Sequence, residues 1–86
     1  MHGRYLVVLT VDPYKYQFSY EEFFKLFCSY VSDNLCLYGF DYFIEHVGYS
    51  SGGVLSASFW IPGDEFDSSD LFPWEYGFYH VYKAYE

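Results

Sequence analysis

Apolar and polar positions along the 86 residues change period four times, and each change marks an element. Tyr5–Val11 (YLVVLTV) is apolar at both alternating sets of positions, β-branched in several, and closed by Asp12-Pro13. That pattern predicts a central strand covered on both faces and ending in a turn. Ser19, with Glu22 three residues on, has the spacing of a capping box, with Glu21 and Glu22 in the favourable first turn. A helix is expected over Ser19 to Asp33. Its apolar stripe is read as Tyr20, Phe23, Phe24, Phe27, Cys28 and Val31, opposite Glu21, Glu22, Lys25, Ser29 and Ser32.

Asp41–Tyr49 and Val54–Ile61 flank Ser50-Ser51-Gly52-Gly53, whose glycines tolerate the backbone of a tight turn, so the pair reads as a β-hairpin. In the second arm Leu55, Ala57, Phe59 and Ile61 alternate with Ser56, Ser58 and Trp60, giving one core face and one half-wet face. The alternation in the first arm leaves its inward face open. Pro62–Phe72 carries Asp64, Glu65, Asp67 and Asp70 among Pro, Gly and Ser, an exposed acidic loop with room for one helical turn. Trp74–Tyr85 alternates Trp74, Tyr76, Phe78, His80 and Tyr82 against Glu75, Gly77, Tyr79, Val81 and Lys83, and its aromatic content favours a strand.

These elements assemble as a single compact α+β domain over residues 1–86, in β-α-β-β-β order. A mostly antiparallel sheet of about four strands carries one helix on one face, and a right-handed crossover sets the first two strands parallel. Tyrosines are the expected residents of the other face.

Charge changes the picture from fold to function. Twelve acids against four basic side chains give a net charge of −8, and 28% of the residues are aromatic. Such a field repels nucleic acid and membranes and attracts basic partners, while tyrosine offers rigid contact area. No stretch has the zones of a signal peptide, no apolar run approaches the roughly 20 residues that cross a bilayer, and Cys28 and Cys36 make no disulfide framework. The expected setting is reducing and cytoplasmic.

No residue set has the spacing of a catalytic, cofactor or metal site. His2, His46 and His80 form no ligand pair, and His46 and His80 are expected as half-buried strand residues. Cys28, in mid-helix on the apolar stripe, reads as a small core residue. Glu45 and His46, adjacent on a strand, point to opposite faces and form no acid–base pair. Gly52-Gly53 lacks the cation and helix of a phosphate loop, and Asp64, Glu65, Asp67 and Asp70 lack the alternating ligands and distal Glu of a calcium loop. Neither a cofactor nor an enzyme activity is therefore expected.

In size, acidity, aromatic richness and lack of enzyme motifs, the chain resembles the small inhibitors that phages and other mobile elements direct against host defence, including anti-CRISPR proteins and DNA mimics. The resemblance is one of composition and size. It implies a stoichiometric inhibitor that occupies a basic nucleic-acid-binding surface of a defence or DNA-processing protein without itself binding nucleic acid. The expected contact residues are Asp64, Glu65, Asp67, Asp70, Glu75, Glu21, Glu22 and Asp33, imitating phosphates, and Tyr76, Tyr79 and Tyr82 as the aromatic part. The alternative is a structural or adaptor protein that forms a homodimer or larger homo-oligomer through a tyrosine-rich face; a small enzyme is third.

Overall fold

A computed structural model describes residues 3–36, 39, 41–62 and 73–85. Strand β1 (Gly3–Val11) is followed by helix α1 (Tyr20–Val31), a π-helical turn over Ser32–Cys36, and strands β2 (Phe43–Tyr49), β3 (Leu55–Pro62) and β4 (Gly77–Tyr85). The four strands form one antiparallel sheet in the order β2-β3-β1-β4, and α1 packs on one face of it. β1 and β2 run in the same direction, as a right-handed crossover requires, but β3 lies between them and pairs with both.

The helix begins where the capping chemistry puts it. Ser19 Oγ accepts from the Glu22 amide at 3.2 Å, and the Glu22 carboxylate accepts from the Ser19 amide at 3.1 Å. These two bonds satisfy two of the four donors that a helix start leaves without partners. Phe23, Phe27, Tyr30 and Val31 form the buried stripe, with Leu26 half-buried beside it. This stripe is rotated from the expected one: Tyr20, Phe24 and Cys28 are exposed, so Cys28 is not a core residue. Phe27 packs against Phe59 in either stripe, with centroids 5.9 Å apart, and the rotation brings Tyr30 into the buried set against Trp74, at 5.5 Å. At the far end the Asn34 side chain donates to the Tyr30 carbonyl at 2.9 Å, which occupies an acceptor at the widened turn.

Ladder partners project to the same face, so register assigns every strand residue to a side. Val7, Leu9 and Val11 of β1 share the helix side with Leu55, Ala57, Phe59 and Ile61 of β3 and with Val81 of β4. Leu6, Val8 and Thr10 point the other way and are only half-buried. The doubly apolar β1 is therefore central but covered on one side only among the described residues. Its second apolar set belongs to a face occupied mainly by other residue types than the expected tyrosines. Phe43, Trp60, Leu6, Val8 and Phe78 lie there with His46 and His80, and Tyr82 is its one described tyrosine side chain.

The hairpin turns as predicted, with the Ser50 amide donating to the Val54 carbonyl at 2.7 Å and Gly53 at φ +76, a conformation that favours glycine. β2 carries a bulge between Ile44 and His46 that leaves Glu45 unpaired, so simple alternation does not describe that strand. β4 starts at Gly77 instead of Trp74, because Glu75 and Tyr76 form a turn. A Cβ on Gly77 would lie 1.9 Å from the Thr10 carbonyl oxygen, so only glycine lets β4 approach β1 there.

Candidate partner-binding surfaces

The two layers give the molecule two chemically different sides. On the helix side, Glu21 and Glu22 are exposed at the start of α1, and Asp33 is exposed in the π-helical turn. Eleven or twelve residues at 1.5 Å each separate these sites by roughly 17 Å, so they cannot share one contact. Hydrogen bonding by the Ser19 amide first, then by the Ser19 side chain, holds the Glu22 carboxyl below its ordinary range.

Asp33 instead shares a cleft with Glu75. Its volume is about 240 Å³, and Leu26, Tyr30, Trp74 and Tyr76 line it as well. The walls are built by aromatic packing: Trp74 stands edge-on to Phe23, Tyr30 and Tyr76 at centroid distances of 6.0, 5.5 and 5.1 Å. Tyr76 in turn meets Tyr16 and Phe18, each at 5.5 Å, so one chain of rings ties the start of β4 to the segment before α1. Burial, with Tyr79 as a second cause, pushes the Tyr30 phenol far above its usual value, keeping it neutral. α1 has no basic residue in its last turn, so the negative end of its dipole reinforces the carboxylates. A half-open hollow with aromatic walls, two carboxylates and a helix C-terminus favours a cation.

The other side is the sheet face bearing Phe43, Trp60, Leu6 and Tyr82 in one row across all four strands. The next row holds His46, Ser58, Val8 and His80. Both imidazoles are exposed, not half-buried as the sequence suggested, because they sit on the two outer strands. Arg4 lies at the end of this face with its guanidinium 4.3 Å from the Trp60 ring centroid.

The expected contact residues therefore divide. Asp33, Glu75 and Tyr76 come together at the helix-end cleft. Glu21 and Glu22 stand apart from it, Tyr79 takes the helix side of β4 near Tyr30, and Tyr82 takes the opposite face. Asp64, Glu65, Asp67 and Asp70 lie outside the described residues. Sequence reasoning missed Tyr30 and Trp74 as cleft walls and left the facing of Phe43 open, but it placed Trp60 on the half-wet side of its strand, where the structure has it. Strand alternation was the available signal for the open face, since it groups Trp60 with Ser56 and Ser58 in β3 and Phe78 with Tyr82 in β4.

Cys36 hydrogen-bonds the Tyr42 phenol, and burial first, then the nearby thiols of Cys36 and Cys28, raise the pKa of that hydroxyl. Among the described residues, no three His, Cys, Asp or Glu side chains converge as metal ligands, and no helix is long and apolar enough to cross a membrane. Comparison with protein-family models, known proteins and solved structures finds no match.

Proposed function

We propose that this protein acts without catalysis, as an inhibitor in the host cytoplasm that occupies a basic, nucleic-acid-binding surface of a defence or DNA-processing protein. The observation that carries this reading is the helix-end cleft, where Asp33 and Glu75 meet the aromatic walls Tyr30, Trp74 and Tyr76. At about 240 Å³ it is smaller than the roughly 300–1,000 Å³ of small-molecule sites, and fits one long side chain better than a cofactor. A lysine or arginine inserted there lays its stem on the rings and its charge between the carboxylates. Glu21 and Glu22, at the other end of the helix, supply a second anionic point, and the net charge of −8 steers a basic partner toward both.

A nona-arginine peptide serves as the probe. Calorimetric titration should give binding that weakens steeply between 50 and 300 mM salt, and Asp33→Lys with Glu75→Lys should reduce affinity at least about tenfold. Two further charge reversals map the surface: Glu21 and Glu22 to Lys at the start of the helix, and Asp64, Glu65, Asp67 and Asp70 to Lys in the acidic segment. If all three sets keep wild-type affinity, recognition does not run through charge and the reading fails.

A further inference from the structure

The sheet face opposite α1 has a property that the acidic composition makes unexpected. Its ladder positions are Arg4, Leu6, Val8 and Thr10 of β1, Phe43, His46 and Gly48 of β2, Ser56, Ser58, Trp60 and Pro62 of β3, and Phe78, His80, Tyr82 and Ala84 of β4. None is a carboxylate, in a chain with twelve. The one acid within a described strand, Glu45, is the unpaired bulge residue on the outer strand β2. Large apolar side chains are nonetheless left in solvent here: Phe43 is 62% exposed, Phe78 56% and Tyr82 55%. Contiguous exposed aromatic surface of this kind marks an interface.

The face also has complementary relief. Between Arg4, Phe43, Trp60 and Pro62, at the β2–β3 side, lies a hollow of about 230 Å³. Tyr82 projects from β4 at the opposite side, in the same row as Phe43 and Trp60. A two-fold axis parallel to the strands, between two such faces, sets β2 over β4 of the second copy and β3 over its β1. Because the axis keeps each residue at its own height along the strands, Phe43 then meets Tyr82 of the second copy, and Trp60 meets its Leu6. Each copy places one Tyr82 at the hollow of the other, which is the reciprocal contact of an isologous dimer.

We propose that this face is a homodimer interface, with Tyr82 of each copy seated in the Arg4–Phe43–Trp60–Pro62 hollow of the other. The proposal is independent of the function assigned to the helix-end cleft. Charge favours a second copy as the occupant. In the stacked arrangement the two helices with their carboxylates lie on the outside, roughly 30 Å apart across four layers spaced about 10 Å, more than three screening lengths at 0.15 M salt. A nucleic acid would instead bring its phosphates toward a chain of net charge −8. The face measures roughly 20 by 20 Å from strand spacing and rise, so two copies cover at least about 800 Å², the low end for a specific interface. The dimer is consequently weak, and leaves both helix-end clefts free on opposite sides.

Sedimentation equilibrium of the full chain from about 10 µM to 1 mM at pH 8 tests this. Reversible dimerisation should tighten as salt rises from 0.01 to 0.15 M, the opposite of the response expected for a basic partner on the cleft. Phe43→Lys and Tyr82→Glu, both at exposed positions, should each weaken dimerisation by on the order of 30-fold while leaving the circular dichroism spectrum unchanged. Mixing the two variants should restore it, because a heterodimer pairs the new lysine with the new glutamate and keeps one native Phe43–Tyr82 contact. A chain that stays monomeric at 1 mM overturns the proposal. So does a dimer that survives both substitutions, which would place the contact elsewhere, as on the outer edge of β4. Failure of the mixture to associate overturns it as well.

Discussion

The two faces of the sheet are built from the same strands and obey different rules. On the helix side, Val7, Leu9, Ala57, Phe59 and Ile61 are fully buried, interlocked with Phe23 and Phe27. On the other side the partners in the same strands, Leu6, Val8, Ser58 and Trp60, are only half-buried, and the outer Phe43, Phe78 and Tyr82 are exposed. One face is finished by the chain's own helix. Its opposite combines apolar content with exposure and the absence of carboxylates from its ladder positions, as a surface completed by association would. In a strand with both residue sets apolar, composition cannot separate stability from interaction, and only the position of the helix does.

The sharpest attack on this contrast is truncation on either side. Phe59→Ala should cost about 3 to 5 kcal/mol in urea unfolding, because the fully buried ring leaves a cavity against Phe27. Phe43→Ala, measured at low concentration, should cost about 1 kcal/mol or less; an equal loss would mean that the two faces do not differ. Gly77→Ala comes next, at about 1 to 3 kcal/mol, since its new Cβ would lie 1.9 Å from the Thr10 carbonyl and force β4 off β1, disturbing both faces together.

Ser19→Ala should cost about 1 kcal/mol by removing the cap, and affects the helix side alone. Its partner Glu22 gives that side a pH signature. A carboxyl held below its ordinary value of 4.5 contributes stability above that pH, and the contribution is lost as pH falls through the lowered folded value. An acid titration of Glu22→Gln should lack this part of the wild-type decline; identical profiles would remove the cap from the account.

The smallest effect is expected at Trp74→Phe. Trp74 is buried and its Nε1 has no hydrogen-bond partner among the described residues, an arrangement that costs roughly 1 to 3 kcal/mol. Phenylalanine keeps an edge-on ring against Tyr30 and removes the orphaned donor, so the gain offsets the lost volume and thermal unfolding should shift little. A large loss would show that the indole N–H is satisfied in solution.

Local chemistry was legible wherever one short stretch contains its own cause. Ser19 and Glu22 close the capping box between themselves, and Ser50–Gly53 turns on its own backbone. The site was legible only in part. Asp33 and Glu75 were both recognisable as exposed acids, yet their place in one cleft depends on Trp74 folding back onto Phe23 and Tyr30, a contact between segments more than forty residues apart. The helix stripe was misread by part of a turn, since hydrophobic spacing admits Phe24 and Cys28 as readily as Tyr30, and the place of Trp74 against Tyr30 lies outside that spacing.

By itself, then, the sequence determined the one helix and four strands, their order, the start of the helix, the turn of the hairpin, and a net charge of −8, because these depend on neighbours along the chain or on composition. The tertiary structure decided that β3 lies between β1 and β2, which face of β1 the helix covers, and which acids and rings converge. A strand's alternation fixes two faces without ranking them, and the helix, free to pack on either, selects one through the fit of a few large side chains.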